Sequence, residues 1–141
     1  MQTPMTKILL VGADLALLEG LAQSLGSVGF TPIVAQTLLE AREIAAQEPP
    51  LVAVVSRAFA AASSGEALSL PLAPGGALVL YRSIGSMVVA LPANVQRSVL
   101  ADLTLPLERN RLVALVHYVR DRVRVTGRGR TSGETEQISR A

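Results

Sequence analysis

Short apolar runs without polar alternation, the first at residues 7–11 (KILLV) and another at Leu51–Val55, alternate along this chain with segments of helical spacing. A strand covered on both faces reads in this way, because neither side of it meets water. Strands that alternate with helices of ten or more residues need right-handed crossovers, which place the strands parallel in one sheet with helices on both faces. The pattern therefore predicts a doubly wound α/β domain. In such a sheet the functional groups gather at the carboxyl ends of the strands, so those ends are where chemistry is expected.

The remaining elements follow from the same periodicities. After Gly12 and Ala13, Asp14 is placed to cap a helix whose Leu15, Leu18, Leu21, Ala22, Leu25 and Val28 recur on one face before Gly29. A second strand is expected at Thr31–Ala35. A second helix, from about Thr37 to Gln47, turns Leu38, Ala41, Ile44 and Ala45 inward before Pro49 and Pro50 end it. A short third helix over Ala58–Leu70 and a PLAPGG loop lead to a fourth strand at Ala77–Tyr81. Residues 82–98 read either as an irregular helix or as an additional strand, since Met87–Leu91 is rich in valine between Gly85 and Pro92. Val99–Thr104 reads as the fifth strand. The last helix, Glu108–Val123, has a stripe of Leu112, Leu115, Val116, Val119 and Val123, with Tyr118 expected to pack beside it.

Composition limits what the domain does. At 141 residues the chain fits one domain with a single core. It has no cysteine, which removes disulfides, thiolate metal sites and a cysteine nucleophile, and which fits a reducing cytoplasm. The first hydrophobic run is too short for a signal peptide or a membrane span, so a soluble cytoplasmic protein is expected. From Arg120 onward six arginines face three acids, whereas the preceding residues carry seven basic and eight acidic groups. The basic balance thus belongs to the end of the last helix and to the polar segment after it. Residues 1–125 are expected to form the domain and residues 126–141 a flexible polar tail.

The order and spacing of these elements, over residues 7 to about 124, resemble a two-component receiver domain. In that family the first strand ends in paired acids that hold magnesium and the third in the phosphorylated aspartate. The fourth ends in Thr or Ser, and the fifth in Lys followed by Pro. The matching positions here are Gly12, Ala13, Ser56, Tyr81 and Leu105, and only Pro106 keeps the pattern. The segment DLTLPLERNRLVALV from Asp102 resembles the family's fifth strand and the entry to its last helix, and twenty-four residues separate Tyr81 from Leu105, close to the family spacing. The resemblance implies a flavodoxin-like five-stranded parallel sheet of order 2-1-3-4-5. Phosphoryl transfer to a carboxylate needs the aspartate, a divalent cation and a Lys-like cation. All three are missing from the matching positions.

A pseudo-receiver follows: no catalytic residue, no metal, no cofactor, and work done by protein contact with a signalling protein or a second copy. Asp14 reads as a helix cap sooner than as a metal ligand. Family members use the surface around the last two helices and the fifth strand for dimers and outputs. The same face here offers Asp102, Arg109, Asn110, Val113, His117 and Arg120 as contact candidates, with the last five taken as the exposed side of the last helix. Two alternative readings are a nucleic-acid-associated regulator using the basic C-terminal segment and, less favoured, a nucleotide-binding enzyme domain. A dinucleotide-binding enzyme needs G-x-G-x-x-G, but VGADLALLEG has glycine only at 12 and 20, and Asp14 would repel phosphate. Binding of nucleic acid would use Arg120, Arg122, Arg124, Arg128 and Arg130, yet no interleaved aromatics or helix-turn-helix accompany them.

Overall fold

The computed structural model describes residues 6–62, 70–83 and 99–133. Their order is β1 (Lys7–Val11), α1 (Leu15–Ser27), β2 (Thr31–Ala35), α2 (Leu38–Gln47), β3 (Val52–Ser56), α3 (Arg57–Ala62), β4 (Ala77–Ser83), β5 (Ala101–Leu105) and α4 (Arg109–Gly133). The five strands form one sheet of order β2-β1-β3-β4-β5 with every neighbouring pair parallel. This is the flavodoxin-like arrangement that the sequence predicts. The expected extra element between Tyr81 and Val99 falls largely outside the described residues.

The alternation of strand side chains divides the core into two layers. Ile8, Leu10, Val52, Val54, Val79, Tyr81, Leu103 and Leu105 meet Leu18, Leu21 and Leu25 of α1 and Leu112, Val116 and Val119 of α4. On the other face Leu9, Val11, Ala53, Val55, Leu78 and Leu80 meet Ala41 and Ala45 of α2 and Ala60 of α3. Small residues on both sides of that layer let α2 approach closely, consistent with interiors packed near crystalline density. Leu15 and Val28, at the two ends of the α1 stripe, are exposed instead. They lie at the first turn of α1 and at its C-terminal cap.

Caps fix both early helices. Asp14 Oδ1 accepts from Leu17 N at 3.1 Å, and Thr37 Oγ1 accepts from Glu40 N at 3.1 Å. The turn before β4 requires glycine twice. Gly75 has φ +80°, and a Cβ on Gly76 would meet Leu51 O at 2.6 Å. At the β2 edge, Thr31 N donates to Thr6 O at 2.8 Å, so the next residue, Pro32, turns its missing N–H away from β1.

Several boundaries differ from expectation: β4 runs on to Ser83, and β5 covers Ala101–Leu105 where Val99–Thr104 was expected. β3 is displaced by one residue and includes Ser56, which pairs with Tyr81 and passes directly into α3. The described part of α3 is Arg57–Ala62, and residues 63–69 lie outside the described set. The last helix continues to Gly133, through residues expected to open the flexible tail. No proline follows Glu108 in the sequence, so a helix already nucleated by its packed turns can propagate, and Gly127 and Gly129 weaken it without ending it. Residues 134–141 lie outside the described set. Among the described residues no helix is long and apolar enough to cross a membrane.

Candidate functional site

At the carboxyl ends of β1, β3 and β4 the residues matched to a phosphorylation pocket do come together, but the space is filled. Tyr81 lies on β4 beside Ser56, and its side chain reaches across the end of β3 to the residue that follows β1. A Cβ placed on Gly12 would lie 1.9 Å from Tyr81 Oη, 3.1 Å from its Cζ and 3.6 Å from Ser56 Cβ. Only a residue without a side chain fits beneath this phenol. Gly12 is needed for that close approach and not for an unusual backbone, since it is not among the glycines of positive φ. The tyrosine is 3 % exposed and belongs to the α1/α4 core layer.

Burial pushes the Tyr81 phenol up to about 12, and the Asp14 carboxylate adds to the shift by opposing a second negative charge. Among the described residues its hydroxyl has no hydrogen-bond partner, an unusual state for a buried polar atom. A Tyr118→Phe variant leaves Tyr81 as the only phenol of a chain without tryptophan. Its ultraviolet titration should show ionisation centred near pH 12 in the folded state. The phenol pKa is raised in the folded state, so its contribution to stability is complete below the ordinary value near 10. That contribution is lost as pH rises towards 12. A midpoint near 10 with the fold intact would place the ring in water.

The other positions carry no compensating chemistry. Ala13 and Asp14 are exposed, and Asp14 is occupied as the cap of α1. Leu105, where the resemblance expects a lysine, is fully buried against the same core layer as Tyr81. Pro106 follows it through a cis peptide bond and is exposed. Among the described residues no group of three or more histidine or acidic side chains is placed to hold a metal ion. The capping carboxylate of Asp14 at the start of α1 opposes a pyrophosphate there.

Two arginines that the sequence reading passed over connect this filled pocket to β5. Arg57, next to Ser56, is ion-paired with Asp102 across the width of β4. Arg82, next to Tyr81, donates from Nε to Thr104 Oγ1 at 3.2 Å. Thr104 N donates to Glu108 Oε1 at 2.7 Å, while Glu108 Oε2 meets Arg111 Nη1 at 3.0 Å. The Thr104 N–H is the largest cause holding the Glu108 carboxyl below the usual glutamate range, with Arg111 next. The spacing of Arg57 and Arg82, each one residue beyond a pocket wall, was the available signal.

The candidate contact residues divide. Asp102, Arg109 and Asn110 are exposed, and Val113 is half-buried, packed against the core. His117 is also turned inward: its ring lies 4.9 Å from that of Phe30, and Arg120 Nη2 is 2.9 Å from its Nδ1. Arg120 lies over the same Phe30 ring at 5.2 Å and pairs with Asp121. The helix settles against Phe30, so its buried stripe is wider than leucine and valine spacing alone implies. Tyr118, expected beside the stripe, is 54 % exposed with the Arg122 guanidinium 5.4 Å from its ring centre. Leu107 is 74 % exposed. Arg120 and Arg122 are thus engaged within the domain, Arg122 also donating to Gly75 O at 3.3 Å.

No family model matches the sequence, and no curated protein is similar enough to match it. Solved structures do match in fold. A response regulator receiver domain from Clostridium thermocellum superposes with a TM-score of 0.68 at 15 % identity, covering 86 % of this chain and 99 % of that one. A CheY-like receiver domain from Methanospirillum hungatei JF-1 gives 0.67 at 18 % identity over 86 % and 98 %. A response regulator from Burkholderia pseudomallei, solved with a phosphorylated aspartic acid, calcium ion and citrate, gives 0.65 at 15 % identity over 86 % and 72 %. The chain has the fold of response regulator receiver domains.

Proposed function

We propose that this chain is a pseudo-receiver, a receiver-fold domain of bacterial signalling or regulation that acts through protein contact and not through phosphoryl transfer. The observation that carries the reading is the Tyr81 hydroxyl standing where a side chain on Gly12 would be, in a pocket that also has Ser56 and buried Leu105. A divalent cation there would have no acidic pair to bind it, and a phosphoryl group no cation to offset its charge. The domain is on this reading not an enzyme. It works in the cytoplasm with a signalling protein or a second copy as its partner. The contact surface lies along β5 and the start of α4, where Asp102, Arg109 and Asn110 are exposed and Leu107 and Tyr118 add apolar area.

Restoring the nucleophile alone should not restore the chemistry. Wild type and Ser56→Asp, each incubated with a small phosphodonor and magnesium, are expected to show no added phosphoryl group by intact-mass spectrometry. A stable acyl phosphate on either protein would sink the reading.

A further inference from the structure

We propose that Tyr81 is an internal ligand of the pocket, whose permanent occupancy is passed to β5 and the start of α4 and holds that surface in one conformation. The inference rests on the pseudo-receiver reading and adds the regulation of the same site. Three observations meet in it. The phenol reaches from β4 to Gly12, past the β3 end where Ser56 is paired with Tyr81, and so links β4 to the end of β1. The residue after each wall of the pocket sends a guanidinium to β5, Arg57 to Asp102 and Arg82 to Thr104. Thr104 is then bonded in both directions to Glu108, its N–H donating to Oε1 at 2.7 Å and its carbonyl accepting from Glu108 N at 2.8 Å.

The route from pocket to surface is therefore short. It leads from the phenol through two adjacent arginines to the edge strand and on to the residue before α4. A receiver-like surface that changes state needs something that enters or leaves the pocket, and a ligand shifts such an equilibrium only by binding one state better. Here the occupant is covalently part of the chain. Partner binding is then constitutive, set by the amounts of the two proteins and indifferent to magnesium and phosphodonors.

Backbone amide spectra of the full-length, nitrogen-15-labelled chain test this. Tyr81→Phe keeps the ring and should leave the amides of Asp102, Thr104, Glu108 and Arg111 where they are. Tyr81→Leu keeps apolar volume but cannot reach Gly12, and should shift or double those four resonances. Shifts confined to Gly12, Ser56 and their chain neighbours would overturn the proposal, because the ring would then fill space without setting the surface. Should Tyr81→Leu not fold, the Tyr118→Phe protein supplies the decision. The Tyr81 emission and its alkaline titration should be unchanged by millimolar magnesium with a phosphodonor, and a newly quenchable phenol would show that the ring leaves the pocket. The two levels separate cleanly: an acyl phosphate defeats the pseudo-receiver reading, whereas silent β5 amides without any acyl phosphate defeat only the internal ligand.

Discussion

Tyr81→Ala is expected to be among the most damaging single substitutions in this domain, with a loss of about 3–5 kcal/mol, as for other large aromatic truncations in cores. Domains of this kind have a total stability of roughly 5–15 kcal/mol, so such a loss would remove a large part of it. The side chain is 3 % exposed and packs in the same layer as Leu103, Leu105, Leu112 and Val116, contributed by β5 and α4. Truncation leaves a void over Gly12 and Ser56 that the strands, fixed by their ladder on both sides, cannot close. Urea unfolding followed by circular dichroism measures the cost. Millimolar phenol should recover part of it in the variant and none in wild type. Tyr81→Phe provides the contrast. The hydroxyl has no partner among the described residues, so its removal should cost less than about 1 kcal/mol, the usual net worth of a hydrogen bond. A larger loss would reveal a partner for the phenol.

Gly12→Ala attacks the same contact from below. Its new methyl would stand 1.9 Å from Tyr81 Oη, a separation no pair of atoms tolerates, and the ring is held by core neighbours. Overpacking of this sort costs about 1–3 kcal/mol. The informative measurement is the double-mutant cycle. On a Tyr81→Phe background the oxygen is gone but Cζ remains at 3.1 Å, so part of the cost should persist. On a Tyr81→Leu background it should fall to within about 0.5 kcal/mol, the size of ordinary surface effects. Additive costs in that second background would mean that the ring does not cover Gly12.

Both experiments concern an interaction that the sequence did not disclose, although most of its surroundings were legible. The strands could be read because each is covered on both faces, which leaves unbroken apolar runs at 7–11 and 51–55 that few other structures produce. The departures from the phosphorylation pattern were legible too, since Gly12, Ala13, Ser56 and Leu105 could be compared with it position by position. Tyr81 was visible only as a missing Thr or Ser. Its role depends on a side chain crossing β3, and nothing in the local periodicity of β4 encodes that reach. The Arg57–Asp102 pair is hidden for the same reason, its members being separated by 45 positions.

The last helix shows a different failure. Its apolar stripe holds buried Leu112, Val116 and Val119, while Val113, His117 and Arg120, expected on the exposed side, are half-buried. The helix rests against Phe30 at the end of the α1–β2 turn, and an aromatic partner accepts a histidine ring and a guanidinium as readily as an aliphatic one. Polarity therefore misled about burial. Its stripe ends at Val123 and the residues from Thr126 onward read as a polar tail, whereas the helix runs to Gly133.

Pro32 gives the sheet two unequal borders. A filament built by adding sheets end to end would have to join β2 of one copy to β5 of the next and repeat without limit. At β2 one of the outward N–H groups such a seam would use is missing at Pro32, which weakens pairing at that border. The proline thus makes the β2 border the poorer of the two for strand addition.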